Sequence, residues 1–153
     1  MLAVGTQATQ PTTTPLQAKL RKPSGHGNED EIAFVDIDGK TKTLSTEVIA
    51  ELMRVMSDNI RVVLFNTCRS GQQAKAVVAH VDVAIGMNGN IKDDAARIFV
   101  ASFYRAIGFG RSVLQAYEQG KLALQLEGIP QEHVPEMHTR DGIDANDIVL
   151  VRL

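Results

Sequence analysis

The chain is poor in the residues that mark several common classes of protein. Its 153 residues include one cysteine, Cys68, no tryptophan and an aromatic fraction of only 5%. A single cysteine excludes a disulfide within the chain and is typical of proteins in the reducing cytoplasm. With few aromatic rings and a formal net charge of -2, the chain also lacks the stacking platforms and the basic face that nucleic-acid-binding proteins usually carry. We therefore expect a cytoplasmic protein with no nucleic-acid partner.

Long apolar runs and clustered metal ligands are also missing from the sequence. No stretch approaches the ~20 consecutive apolar residues that a membrane-spanning helix requires. Residues 1–6 have neither the basic start nor the apolar core of a signal peptide. One cysteine and scattered acidic residues provide no spacing typical of metal ligands. The sequence therefore predicts no membrane partner, no metal and no other cofactor.

The composition changes near the amino terminus. Residues 5–15 are rich in threonine and glutamine and include two prolines, so they cannot bury enough apolar surface to offset the entropy lost on ordering. Residues 16–22 could form a short basic helix that ends before Pro23. We predict a disordered or weakly helical leader over 1–22 and one folded domain over 23–153, since ~150 residues suit a single domain.

Within the domain, apolar runs alternate with helical spacings. The patterns predict strands over 32–37, 41–44, 61–66, 81–87 and 148–153, with a turn at Asp38 and Gly39. They predict helices that begin after Ser45 or Thr46, at residue 72, at Asp93 or Asp94, and after Ser112. Because strands alternate with helices, we expect an α/β fold with a mostly parallel sheet covered by helices on both faces.

Cys68 stands between an apolar run and a helical pattern, just past the carboxyl end of a predicted strand. Reactive groups of parallel α/β sheets gather at those ends. A cysteine attacks as its thiolate, which a nearby helix N-terminus, the charge of Arg69 and an approaching His26 would all favour. His26 lies in the motif SGHG at 24–27, where Gly27 could donate its N–H to an oxyanion. A lone cysteine is most often a small buried apolar residue, so the two motifs alone leave both interpretations open.

The order of the motifs along the chain carries more information than either motif. SGHG at 24–27 is followed by IAFVDIDGK at 32–40, RVVLFNTCRSG at 61–71 and VAIGMNGNIKDDAARIFVASFYRAIGFGRSVLQAY at 83–117. This succession resembles the caspase-like CHAT domain of bacterial cysteine peptidases, in which one strand leads into SGHG and a later strand into a cysteine motif. The resemblance runs from about Ser24 to about Leu124.

The resemblance implies a fold, a reaction and a set of site residues. The fold would be a caspase-like three-layer α/β/α sandwich with a mostly parallel sheet. His26 matches the family's base and Cys68 its nucleophile, and the N–H groups of Gly27 and Cys68 would bind the oxyanion. Asp93 matches an acidic position that, in the related separase peptidases, lies in the pocket for a basic P1 side chain. The implied function is cleavage of a protein or peptide after Arg or Lys without a metal. A plain helix N-cap is the alternative role for Asp93, and Asp94 is the neighbouring alternative for the acidic position.

One segment departs from the family pattern. In the family a strand of several apolar residues leads into the histidine, whereas residues 19–23 here are basic and end in proline, which a central strand does not accept. The chain therefore resembles the C-terminal two-thirds of the domain, an N-terminally truncated form. A missing strand would expose a sheet edge and invite a partner protein or self-association. The alternative function is a catalytically impaired caspase-like interaction or scaffold module.

Overall fold

The computed structural model describes residues 2–4, 31–35 and 40–153. In these ranges the chain forms six strands and four helices, in the order β1 (Leu2–Val4), β2 (Glu31–Val35), β3 (Thr41–Ser45), α1 (Thr46–Met56), β4 (Val62–Leu64), α2 (Gly71–Val77), β5 (Val83–Met87), α3 (Asp93–Gly108), α4 (Val113–Leu126) and β6 (Pro135–Thr139). The α/β class expected from the sequence is confirmed. Apart from β1, the predicted leader over 1–22 lies outside the described residues, as does the turn at Asp38 and Gly39.

Four of the strands form one sheet in the order β1-β4-β5-β6. The central strands β4 and β5 are parallel, with Val62 opposite Val83 and Leu64 opposite Ile85. β1 pairs with β4 antiparallel, and β6 pairs with β5 antiparallel. The sheet is therefore mixed rather than mostly parallel as expected, because only its central pair is parallel and both outer strands run antiparallel to their neighbours. β2 and β3 form a separate antiparallel pair.

The two central strands are apolar because both of their faces are covered. Every residue of β4 and β5 is buried, as expected for central strands without polar residues. Val62, Leu64, Val83, Ile85 and Met87 belong to the cluster that includes residues of α3 and α4. Val63, Phe65 and Ala84 belong to the cluster that includes residues of α1 and α2. Alternate side chains thus face opposite helical layers, so helices cover both faces of the sheet.

Two of the predicted helix starts have serine caps. The Ser45 side chain accepts a hydrogen bond from the Val48 N–H at the start of α1, and Ser112 forms a capping box with Gln115 at the start of α4. The N-cap of α3 is Lys92, so Asp93 is its first helical residue rather than its cap. Carboxylates in a first turn are stabilised by the helix dipole. None of the described helices is long and apolar enough to cross a membrane.

The prediction of a closing strand over 148–153 is wrong. Among those residues only Val149 makes a β-bridge, to Ser112, while Ile148 and Leu150 are buried. The Ile148 carbonyl accepts a hydrogen bond from the Val113 N–H at 2.9 Å, at the start of α4. The last strand of the sheet is β6, which the sequence analysis does not predict. It pairs with β5 on one side and has a mostly half-buried, polar sequence, and an edge strand accepts Pro135 at its first position.

Candidate functional site at the Cys68 turn

Cys68 lies on the turn between β4 and α2, beyond the carboxyl ends of the central parallel pair. Phe65 extends β4 by one further bond, from its N–H to the Ile85 carbonyl at 2.8 Å. Cys68 is exposed, and its Sγ donates a hydrogen bond of 3.5 Å to the Ile91 carbonyl. The predicted position of the cysteine at the end of a buried strand is therefore confirmed, and the apolar-core interpretation of the thiol is wrong.

The residue after the cysteine has an unusual backbone conformation. Arg69 has a φ of 58° and is the one non-glycine residue with positive φ in the described part of the chain. This left-handed region costs a residue with a Cβ about 1–2 kcal/mol relative to right-handed conformations. The Arg69 N–H donates to the Gly89 carbonyl at 2.9 Å, so the turn is bound to the loop that follows β5.

Ser70 connects the turn to both central strands. Its side chain is almost fully buried, with 1% of the residue exposed. The hydroxyl lies 2.8 Å from the Thr67 carbonyl and 3.2 Å from the Phe65 carbonyl, to which it donates. The same oxygen accepts a hydrogen bond of 2.9 Å from the Met87 N–H at the end of β5. One buried hydroxyl therefore joins the end of β4, the cysteine turn and the end of β5.

Gly86 allows the turn and β5 to approach closely. A Cβ on Gly86 would lie 2.6 Å from the Ser70 carbonyl oxygen and 2.9 Å from the Ala74 Cβ. Contacts this short do not occur for real side chains, so any larger residue would push the Ser70 turn away from β5. The close packing at Gly86 and the hydrogen bond from the Met87 N–H to the Ser70 hydroxyl therefore both hold the Ser70 turn against β5.

The loop between β5 and α3 contacts the Cys68 thiol. Gln131 accepts a hydrogen bond from the Lys92 N–H at 2.9 Å and donates one to the Asn90 carbonyl at 3.0 Å. These two bonds flank Ile91, whose carbonyl accepts the thiol hydrogen bond of Cys68. The Asn88 N–H also donates to the Val134 carbonyl at 2.8 Å. The segment before β6 therefore holds the loop that contacts the thiol.

Carboxylates lie at the same end of the sheet. Asp93 and Asp94 are exposed in the first turn of α3, directly after the Ile91 loop. Glu136 lies at the start of β6, where its Oε2 is 3.9 Å from the position of a Cβ on Gly71. The Glu136 side chain is 41% exposed. Sequence reasoning missed Glu136 because the sequence gives no signal for β6, and the neighbourhood of Glu136 and Gly71 joins residues far apart in the chain.

The predicted site residues divide into two groups. Cys68 and Asp93 lie at one end of the sheet, while His26 and Gly27 lie outside the described residues. In the described part, the thiol hydrogen bond of Cys68 goes to a backbone carbonyl and to no histidine. His138 on β6 has its Nε2 3.7 Å from the Glu136 Oε1, and it pairs with Ala84, further from the carboxyl end of β5. The described residues contain no group of three or more metal-ligating side chains.

The opposite end of the sheet carries an ionic cluster. Asp82 is 8% exposed and pairs with Arg61 at 2.7 Å and Arg140 at 2.5 Å. Its backbone also joins both arginines, since the Asp82 N–H donates to the Arg61 carbonyl and the Arg140 N–H donates to the Asp82 carbonyl. The cluster joins the residues just before β4 and β5 to the residue just after β6, so its role is structural.

The geometry at the Cys68 end fits a nucleophile. The thiol is open to solvent, its turn is fixed to both central strands, and carboxylates lie at the same end of the sheet. Thiols in such positions can attack a carbonyl if a base takes their proton. The chain matches no known protein-family model and no curated protein.

Proposed function

We propose that this chain is a cysteine endopeptidase with a caspase-like CHAT fold, in which Cys68 is the nucleophile and His26 the base. The observation that supports it most is the exposed thiol at the carboxyl ends of the parallel pair, next to the left-handed Arg69. Ligands of α/β sheets bind at those ends, and non-glycine residues in such conformations concentrate at functional sites. The helical layers on both faces of the sheet are consistent with the sandwich of that family.

The proposed reaction is an acyl transfer in two steps. His26 takes the thiol proton as the Cys68 sulfur attacks the carbonyl carbon of the scissile peptide, and it then gives that proton to the leaving amine. A water molecule, deprotonated by His26, attacks the carbonyl carbon of the resulting thioester, and the carbon–sulfur bond breaks. The proton on His26 passes to the Cys68 sulfur, and the released carboxylic acid loses its proton to solvent. The Arg69 N–H is already bound to Gly89, so the N–H groups of Cys68 and Gly27 are assigned to the oxyanion.

The proposed specificity is cleavage after arginine or lysine. Asp93 is exposed at the start of α3, two residues beyond the carbonyl that the thiol contacts. A carboxylate there can bind a guanidinium through two parallel hydrogen bonds or an ammonium through one. Asp93 is assigned to the P1 side chain because its position matches the acidic residue of that pocket in the related separase peptidases. The neighbouring Asp94 accepts a hydrogen bond from the Ala95 N–H at 2.8 Å.

A catalytically impaired interaction module is the second candidate. The resting thiol donates to the Ile91 carbonyl, an acceptor that cannot remove its proton, and the basic segment over 19–23 does not resemble the strand that supports the histidine in the family. β6 has a neighbour on one side only among the described strands. An extended peptide or a second copy of the chain could add to that edge through backbone hydrogen bonds.

Peptide cleavage separates the two candidates. The purified full chain is incubated with fluorogenic peptides carrying Arg, Lys, Asp or Leu at P1, and turnover is followed at neutral pH. We expect cleavage of the Arg and Lys peptides alone, lost to background in Cys68→Ala and in His26→Ala. Asp93→Asn should raise KM for the Arg peptide with a smaller effect on kcat.

Two matched variants serve as controls for this assay. His133→Ala removes an exposed histidine that the proposal does not use, and Asp94→Asn removes the neighbouring carboxylate. Both should cleave like the unaltered chain. Turnover that persists in Cys68→Ala would reject the nucleophile. No cleavage of any peptide, together with alkylation of Cys68 no faster than that of a free thiol, would favour the interaction module.

A further inference from the structure

Ser70 has contacts beyond what the start of α2 requires. It occupies the N-cap position of α2, yet its side chain makes no capping hydrogen bond to that helix. The hydroxyl instead donates toward the Thr67 and Phe65 carbonyls and accepts from the Met87 N–H. Serine at an N-cap usually bonds the helix's own N–H groups. The side chain is therefore committed to the cysteine turn and β5.

The turn requires such a restraint because its backbone is strained. Arg69 stands in the left-handed region between Cys68 and Ser70, a conformation that persists only where the surroundings hold it. The restraints on either side are the Arg69 N–H bond to Gly89 and the three contacts of the Ser70 hydroxyl. The Ser70 contacts are buried, so water does not compete with them.

We propose that Ser70 is a positioning residue for Cys68. Its buried hydroxyl fixes the direction in which the turn presents the thiol and the Cys68 N–H. The hydroxyl itself touches no reacting atom in this scheme and takes part in no proton transfer. The effect of Ser70 on catalysis rests on the proposed function, whereas its effect on the position of the cysteine turn does not depend on that function. Two kinds of measurement therefore separate them.

The position of the turn is measured with a nitroxide spin label on Cys68. As the only cysteine of the chain, Cys68 accepts the label without any other substitution. We expect the electron paramagnetic resonance spectrum of the unaltered chain to show an immobilised label, and that of Ser70→Ala to show a mobile one. Ser70→Thr keeps the hydroxyl and should restore much of the immobilisation.

Ser102→Ala is the matched control for the spin-label measurement. The Ser102 hydroxyl donates to the Gln119 carbonyl at 3.1 Å and so joins α3 to α4. Its removal also deletes one hydroxyl contact between two elements but leaves the cysteine turn intact. We expect the label spectrum of Ser102→Ala to equal that of the unaltered chain. A label that is equally mobile in the unaltered chain and in Ser70→Ala would overturn the inference.

Catalysis supplies the second measurement. Misplacement of a reacting group by ~1 Å costs about 10²-fold in rate, so kcat for an Arg peptide should fall by about 10²-fold in Ser70→Ala, with KM nearly unchanged. A merely structural loss would instead lower the folded fraction and reduce activity in proportion to it, which circular dichroism on the same samples detects. Unchanged kcat in a folded Ser70→Ala chain would reject the catalytic consequence.

Failure of the two proposals looks different. If the unaltered chain cleaves no peptide, the proposed function fails, and the spin-label comparison still decides the role of Ser70. If Ser70→Ala does not fold, hydrogen exchange of the unaltered chain decides instead. The Met87 amide should then exchange as slowly as the Phe65 amide of the central ladder. Rapid exchange at Met87 would show that the hydroxyl does not hold β5 in solution and would reject the inference.

Discussion

Arg69 lies between Cys68, whose thiol is exposed, and Ser70, whose hydroxyl is buried. Its φ of 58° places its backbone in the left-handed region, where a residue with a Cβ is strained. Glycine reaches this conformation without a Cβ clash. We therefore predict that Arg69→Gly is more stable than Arg69→Ala by up to about 1 kcal/mol. Both variants remove the guanidinium, so their difference isolates the backbone. Urea unfolding followed by circular dichroism measures it.

Arg105 provides the control for the Arg69 pair. It is exposed within α3, where the backbone is helical and glycine is the less stable choice by about 1 kcal/mol. Arg105→Gly should therefore be less stable than Arg105→Ala, the opposite order. Equal stability of the two Arg69 variants, or the Ala variant being more stable, would mean that the left-handed conformation is not maintained in solution.

For individual residues, the sequence predicts where Cys68 lies but not the hydrogen bonds that hold its turn and the neighbouring loop. The position of Cys68 follows from local signals, an apolar run before it and a helical pattern after it. The contacts of Ser70 with Met87 and of Gln131 with Asn90 and Lys92 join residues 17 to 41 positions apart. Such pairs depend on how strands and loops meet in space, which no local pattern encodes. Glu136 was missed for the same reason.

The starts of α1 and α4 have direct sequence signals, because a serine caps each of them. Ser112 accepts a hydrogen bond from the Gln115 N–H at 3.2 Å and donates one to the Asn146 Oδ1 at 3.2 Å. It is 5% exposed. Ser45 makes an exposed capping bond of 3.4 Å to the Val48 N–H and also hydrogen-bonds the Glu47 carboxylate. The two caps share a residue type but differ in burial.

This difference gives a prediction for the two helices. Ser112→Ala should lower the free energy of unfolding by about 1–2 kcal/mol, because it removes a buried cap and the link to Asn146. Ser45→Ala should lower it by no more than about 0.5 kcal/mol, the low end for an exposed cap. Thermal and urea unfolding of both variants measure the two costs. Equal losses would mean that burial of the Ser112 hydroxyl does not contribute.

The strands show why element prediction succeeded at the centre of the sheet and failed at its edge. Continuous apolar runs predict β4 and β5, since both faces of these strands are buried. The run from Ile148 to Leu150 looks the same in sequence, but its burial comes from loop packing against α4. β6 has a polar sequence because one side of it lacks a neighbouring strand in the described sheet. Apolar content reports burial, and burial is not specific to strands.

For the whole molecule, the layer formed by α3 and α4 contains both tyrosines of the chain. Phe99 packs edge-on against Tyr117, with ring centroids 6.1 Å apart, and Phe103 packs edge-on against Tyr104 at 5.5 Å. A Cβ on Gly120 would lie 2.7 Å from the Phe99 ring, so the two helices approach as closely as this glycine allows. The aromatic layer therefore connects the helical pair to the apolar face of the sheet.

Burial of the two tyrosines makes the stability of the whole fold sensitive to alkaline pH. Burial raises the pKa of Tyr104 well above its ordinary value of 10.0, and burial, followed by the charge of Glu136, raises the pKa of Tyr117. Above pH ~10 the phenols ionise in the unfolded chain before they ionise in the folded one, so unfolding releases protons. The part of the free energy of unfolding that depends on the two protonated phenols is fully present below pH ~10. It is lost as the pH rises toward the pKa values of the phenols in the folded protein.

The matched pair Tyr104→Phe and Tyr117→Phe tests this prediction, because the two hydroxyls differ in their hydrogen bonding. The Tyr104 hydroxyl is buried with no hydrogen-bond partner in the described ranges, whereas the Tyr117 hydroxyl donates to the Pro135 carbonyl at 2.7 Å. At pH 7, Tyr104→Phe should therefore be neutral or stabilising, while Tyr117→Phe should lose about 1 kcal/mol. Between pH 9 and 11, the free energy of unfolding should fall less steeply in Tyr104→Phe than in the unaltered chain. Urea unfolding across this range measures both effects, and an unchanged slope in Tyr104→Phe would show that Tyr104 ionises in the folded protein as readily as in the unfolded one.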